Sequence, residues 1–268
     1  TMAGYESAAR CHLLPAWAGR ELDGIGHAEL QSWVDGFARP GAAAKAYKTF
    51  RQVYRWACRR HGLRVWDVTQ GVELPRVPEP RRRSLAAAEE RECLRGVAGQ
   101  EWEAVVLLAA ALGLRRCEAC GMRWEDVDWR RGLVTVRRGL HWVGGREVVE
   151  PPKTRLAART LRLPRWALER LRAIRGSRRS GRVCDLPPHR VAARFRAFCL
   201  REGLPWVPLG SLRHSWATIA LSAGAAIEDV SVALGHSTVD TCIRHYLTSF
   251  SAVVARASDA YSRAMLAG

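Results

Sequence analysis

The chain has 268 residues, a formal net charge of +17 and a sequence pI near 10.6. A charge that far from zero points to a large anionic partner whose phosphates supply much of the affinity. The sequence has no run of roughly 18 or more apolar residues, which excludes a transmembrane helix, and its first thirty residues lack the apolar block of a signal peptide.

The N-terminal part reads as helical. Apolar positions recur at helical spacing over residues 5–14, 27–38 and 42–61, with Gly and Pro between them. In the third segment Ala46, Phe50, Tyr54 and Ala57 mark one stripe, while Lys48, Arg51, Arg55 and Arg59 lie off it. Such a basic side can lie on phosphates, and on pattern alone it is equally a solvated helix face. Residues 1–78 are therefore read as one helical domain. Pro75, Pro78 and Pro80 then resist helix and sheet, and an arginine run follows. This makes 79–85 an extended basic linker, with Arg81 and Arg82 able to meet a nucleic-acid backbone. Residues 1–80 carry 11 Lys+Arg against 8 Asp+Glu and the remainder 32 against 18, so most of the excess charge lies after residue 80.

Beyond the linker, helices are expected over 86–97 and 101–112. Three β-like segments follow: Leu133–Val136, Arg146–Val149 and Thr160–Leu163. Gly144-Gly145 is read as the first turn between them and Pro151-Pro152 as the start of a longer second loop. Helices are expected again over 165–174, 188–202, 212–223, 226–233, 238–245 and 249–265. The eleven tryptophans are assigned mainly to the core. The eight cysteines follow no disulfide framework, and reduced thiols in a cytoplasmic protein is the economical reading. Cys117 and Cys120 form a CxxC without a second pair or a His-rich partner at zinc spacing, and Cys184 with His189 is weaker still. No metal is expected.

Five groups in this second part carry chemistry: Arg115, Lys153, Arg213, His236 and Tyr246. Two guanidiniums, an ammonium and an imidazole are what a site needs to hold one phosphodiester and stabilise a pentavalent transition state. A tyrosine hydroxyl can attack phosphorus and remain attached. The chain holds 43 Lys+Arg, of which 3 are lysine, and Lys153 is the one lysine after residue 80. An amine among cations can release a proton, which a guanidinium in effect cannot. Taken alone, each of these features has an ordinary reading: Arg115 and Glu118 make a surface ion pair at helical spacing, and Gly235-His236 means little.

Together the segments resemble the tyrosine recombinase (phage integrase) family, which cuts and rejoins DNA through a phosphotyrosyl link. Gly113-Leu114-Arg115-Arg116-Cys117-Glu118, with the run to Trp124–Asp128, resembles the family's first box, and Ser211–Thr218 its second. Leu234, His236, Ser237, Thr241 and Tyr246 stand at family spacing, and Phe50–Gly62 resembles the last helix of the family's core-binding domain. The resemblance implies a mainly α protein. A helical, SAM-like core-binding domain (1–78) would precede a mostly helical catalytic domain (86–268) with a small antiparallel three-stranded sheet and a C-terminal helix. Tyr246 would attack the scissile phosphate with help from His236, while Arg115 and Arg213 clamp its oxygens. Lys153, on the loop between the second and third β-like segments, would protonate the leaving 5′-oxygen. Glu118 would orient Arg115, and His214 would be a packing or supporting group. Lys48, Arg51 and Arg55 become DNA contacts. The reaction needs no cofactor, metal or ATP. Four protomers on double-stranded DNA would exchange strands through a Holliday junction, with Phe250–Leu266 docking on a neighbour or packing in cis. Such an enzyme belongs in a bacterial or phage-infected cytoplasm, at the nucleoid. The chain opens directly into the core-binding-like segment, so the arm-binding domain of phage integrases is not expected in it.

One position departs from the family. A histidine usually stands three residues before the second arginine, where this chain has Gly210. Its loss would cost on the order of ten- to a thousandfold in rate unless something replaces it. The Gly210 or Ser211 backbone N–H, the Ser211 hydroxyl or a water are the candidates, a glycine letting backbone approach the phosphate closely. Two other readings stay open: a type IB topoisomerase, which shares the chemistry but works alone, and an impaired relative that binds DNA as a regulator.

Overall fold

The computed structural model describes residues 2–63, 66–78, 83–152 and 157–235, with 262, 265 and 266. Arg81, Arg82, Lys153, His236 and Tyr246 lie outside the described residues, as do the expected helix 238–245 and nearly all of 249–265. The chain forms two compact units, Thr1–Arg81 and Arg82–Gly268.

The first unit is helical. Helix α1 (Met2–Ala8) runs through a π-helical turn (Ala9–Leu13) into α2 (Leu14–Trp17), where the sequence suggested one helix over 5–14. The wider turn ends two residues before Pro15, whose ring nitrogen has no hydrogen to donate to a regular i−4 ladder. Helix α3 spans His27–Asp35. Helix α4 (Pro40–His61) begins two residues earlier than its apolar pattern, because proline is tolerated at a first helical position whose N–H has no partner anyway. Its Ala46, Phe50, Tyr54 and Ala57 are buried as the stripe requires, with Leu30, Val34 and Tyr47 in the same core.

The second unit is built around α6 (Glu103–Leu112), all ten residues of which are buried. Helices α5 (Ala87–Gly96), α7 (Arg116–Cys120), α8 (Arg165–Arg175), α9 (Pro188–Arg201), α10 (Leu212–Ser222) and α11 (Ile227–Leu234) belong to the same unit. A three-stranded antiparallel sheet is present with the order β1 (Val127–Asp128), β2 (Leu133–Val136), β5 (Arg159–Arg162). Its membership differs from the sequence reading. The segment at 146 does not join it but pairs with a strand the sequence did not reveal, β3 (Gly139–Val143) with β4 (Arg146–Glu150). Gly144 and Gly145 have φ of 57° and 79° and close a two-residue turn. Such a turn joins the residues on either side of it, Val143 to Arg146, so β2 is out of its reach and instead pairs Leu133 with Arg162.

Seven of the eleven tryptophans lie in or against the cores, as expected, while Trp56, Trp66, Trp142 and Trp166 are exposed. No helix among the described residues is long and apolar enough to cross a membrane.

Candidate active site

Helix α6 ends at Gly113, whose φ of +60° turns the chain back on itself. A Cβ there would stand 2.8 Å from Leu234 Cδ2 and 3.0 Å from the Trp216 ring, so both the backbone angle and the lack of space call for glycine. The turn delivers Arg115 to the start of α7. Glu118, on the first turn of α7, accepts the Arg115 backbone N–H at 2.9 Å and its Nη1 at 2.7 Å. The carboxylate therefore caps the helix and holds the guanidinium.

Helix α10 supplies Arg213, which is buried. Its Nη1 donates to the Gly113 carbonyl at 2.9 Å and its Nη2 to the Leu234 carbonyl at 2.6 Å. Trp216, three residues on along the same helix face, donates from Nε1 to the Ala111 carbonyl at 3.1 Å. Residues Arg213 and Trp216 thus satisfy carbonyls at the C-terminal end of α6, where the helix dipole favours a cation.

The last turn of α11 is where these groups meet. Arg159 Nε donates to the Ala233 carbonyl at 2.7 Å, Arg213 to Leu234, and Arg115 Nη2 to the Gly235 carbonyl at 3.3 Å. Three consecutive carbonyls accept from three arginines brought by three different elements, directly before His236 in the chain.

Arg159 was missed in the sequence. Its two Nη atoms straddle the Glu118 carboxylate at 3.2 and 3.0 Å, so Glu118 lies between two guanidiniums. Burial alone pushes the Glu118 carboxyl up, but Arg159, then the Arg115 amide and guanidinium, outweigh it and hold the group below the ordinary carboxylate range. A signal was available: strand alternation puts Arg159 on the face of Leu161 and the buried Leu163. In a sequence with this many arginines, that alternation was the sole distinguishing mark.

Gly210 lies exposed in a 3₁₀ turn (Leu209–Ser211) ahead of α10. Its φ is not positive, and an added Cβ would meet nothing within 4 Å. The backbone therefore does not require glycine, and a side chain fits. The Ser211 N–H, one candidate to replace the missing histidine, is already donated to the Pro208 carbonyl at 2.6 Å. His214 is half-buried on α10 beside Arg213.

In the first unit Lys48 and Arg51 are exposed on α4. Arg55, grouped with them by pattern, is half-buried and pairs with Asp67, Nε to Oδ2 at 2.8 Å. That pair, with Tyr47 Oη donating to the Thr69 carbonyl at 2.6 Å, ties the 66–69 turn to α4. Cys117 is half-buried and Cys120 buried, and the described residues include no group of three or more His, Cys, Asp or Glu able to hold a metal.

The sequence profile of the phage integrase family matches residues 85–252. A putative prophage phiRv2 integrase of Mycobacterium tuberculosis is 26% identical over 91% of this chain and 69% of its own length. Tyrosine recombinase XerC of Mycobacterium bovis is 29% identical over 83% of this chain and 79% of its own. Among solved structures, the Tn1549 transposon integrase in complex with a circular intermediate DNA superposes with a TM-score of 0.81 at 14% identity, covering 95% of this chain and 91% of that one. A lambda integrase tetramer bound to a Holliday junction gives 0.65 at 18% identity, over 90% and 70%. At such identities the structural likeness speaks to the fold.

Proposed function

Because the chain belongs to the phage integrase family and is a site-specific tyrosine recombinase, we propose that Tyr246 is its nucleophile and that the groups gathered at the end of α11 hold the scissile phosphate. The observation that carries this reading is the convergence of Arg115 and Arg213 on the adjacent carbonyls of Gly235 and Leu234. Two guanidiniums from distant segments meet where the chain enters His236.

In the proposed reaction the Tyr246 hydroxyl attacks phosphorus and hands its proton to His236, which gives it back when the tyrosine later leaves. The bond to the 5′-oxygen breaks, and that oxygen takes a proton from Lys153. A 3′-phosphotyrosyl link conserves the bond energy, and a 5′-hydroxyl from a partner duplex later attacks it, returns the proton and frees Tyr246. Arg115 and Arg213 stabilise the charge that grows on the non-bridging oxygens. Solved relatives carry circular intermediate DNA and a Holliday junction, which supports duplex recombination sites as the substrate and a tetramer as the working assembly. Residues 1–78 would serve as the core-binding domain, with Lys48, Arg51 and the linker residues Arg81 and Arg82 on the DNA backbone. Work on chromosomal or phage DNA puts the enzyme in the cytoplasm.

A nicked suicide substrate bearing the recombination site tests this. It should trap a covalent adduct whose peptide contains Tyr246, and Tyr246→Phe should abolish the adduct while keeping site binding. An adduct that survives the substitution, or one that maps to Tyr261, overturns the assignment.

A further inference from the structure

We infer that Arg159 is a positioning residue of the strand-transfer site, supplying the charge that lets Glu118 orient Arg115 without neutralising it. The inference rests on the recombinase reading above.

Glu118 solves one problem and creates another. By accepting the Arg115 backbone N–H and Nη1 it fixes where that guanidinium points. A buried carboxylate paired with one arginine, however, leaves the pair with no net charge, and a neutral pair attracts a phosphate weakly. Arg159 changes the balance. With Glu118 between two guanidiniums the trio carries one net positive charge.

The geometry assigns the two arginines different tasks. Arg159 is 8% exposed at its side chain and Arg115 38%. All three Arg159 nitrogens are engaged: Nη1 and Nη2 by Glu118, Nη1 also by the Ala157 carbonyl at 3.1 Å, and Nε by the Ala233 carbonyl. With every nitrogen spent on Glu118 and two carbonyls, Arg159 acts on the site through Glu118. Arg115 keeps an exposed edge for the phosphate. The same side chain also joins β5, α7 and the end of α11, the elements that adjoin Lys153, Arg115 and His236 in the chain.

Single-turnover cleavage of a nicked substrate, with site affinity measured separately, tests the inference. Arg159→Ala should slow cleavage by about tenfold or more with affinity changed by no more than about twofold. Adding Glu118→Gln to that variant removes the uncompensated charge and should recover most of the loss, because the Arg115 charge is no longer cancelled. Arg159→Lys, which keeps the charge but not the fork, should fall between wild type and Arg159→Ala. A double variant no faster than Arg159→Ala overturns the inference, as do rates that simply follow the thermal midpoints of the three proteins.

A carbon-detected NMR titration of the Glu118 carboxyl gives a reading independent of activity. Its midpoint should rise when Arg159 is replaced by alanine, and an unmoved midpoint also overturns the inference. If wild type forms no adduct on any site, the recombinase reading falls while the titration still decides whether Arg159 compensates Glu118.

Discussion

Arg213 donates from Nη2 to the carbonyl of Leu234 at 2.6 Å, two residues before His236. The side chain proposed to hold the phosphate thus also holds the segment proposed to bear the general base, and its second bond, to Gly113, reaches the turn that positions Arg115. Replacing it should damage more than chemistry.

Arg213→Ala is expected to abolish cleavage and also to lower unfolding stability by about 2–3 kcal/mol, because two carbonyls in a buried site lose their donor. Denaturant midpoints of the two proteins check this. A variant as stable as wild type would show that the carbonyls find other donors and that Arg213 serves chemistry alone.

Gly113→Ala separates backbone strain from crowding. A non-glycine residue at φ +60° costs about 1–2 kcal/mol, and forcing a methyl against Leu234 and Trp216 adds about 1–3 kcal/mol. Gly62→Ala is the control: its φ is +65°, but nothing stands within 4 Å of the added carbon. Thermal melts should show Gly113→Ala clearly the worse of the two. Equal losses would mean that α10 and α11 give way to the methyl.

The contrast between Arg115 and Arg159 shows what the sequence disclosed. Arg115, Glu118 and Arg213 were legible because each sits in a local string whose spacing carries meaning. Arg159 was not, because its partners are a carboxylate 41 residues earlier and a carbonyl 74 residues later. Most helix positions were legible from apolar periodicity, and α6 from its unbroken apolar run. Strand membership was less so: β3 (Gly-Leu-His-Trp-Val) lacks clean alternation, and the hairpin it forms stands largely exposed.

On α4, salt dependence distinguishes a DNA contact from a structural ion pair. Arg51→Ala should lower the slope of log affinity against log salt by about one, since it removes one exposed phosphate contact. Arg55→Ala should leave the slope nearly unchanged and destabilise the first unit, because Asp67 loses its cation. An Arg55 effect on the slope equal to that of Arg51 would show that the Asp67 pair opens on DNA.

For Lys153, the leaving group supplies the test. Lys153→Ala should cleave ordinary DNA slowly and recover on a 5′-phosphorothiolate, whose sulfur leaves without a proton. Lys153→Arg should fail on ordinary DNA although it keeps the charge. Equal impairment of Lys153→Ala on both substrates would reduce the lysine to a phosphate-positioning group.

Gly210 stands where the family resemblance leads one to expect a histidine, and the structure alters what to expect there. Neither backbone angle nor crowding requires glycine, so Gly210→His should fold normally, with stability within about 0.5 kcal/mol of wild type. The Ser211 N–H, a candidate to stand in for the absent histidine, is held by Pro208. With that donor engaged, an imidazole at 210 adds a hydrogen bond for which the Ser211 hydroxyl, the Gly210 amide and water are the remaining substitutes. Cleavage should accelerate by about tenfold, which corresponds to about 1.4 kcal/mol of transition-state stabilisation. Single-turnover rates of the two proteins on one suicide substrate decide it. A rate equal to wild type would mean that one of those three donors already does the histidine's work.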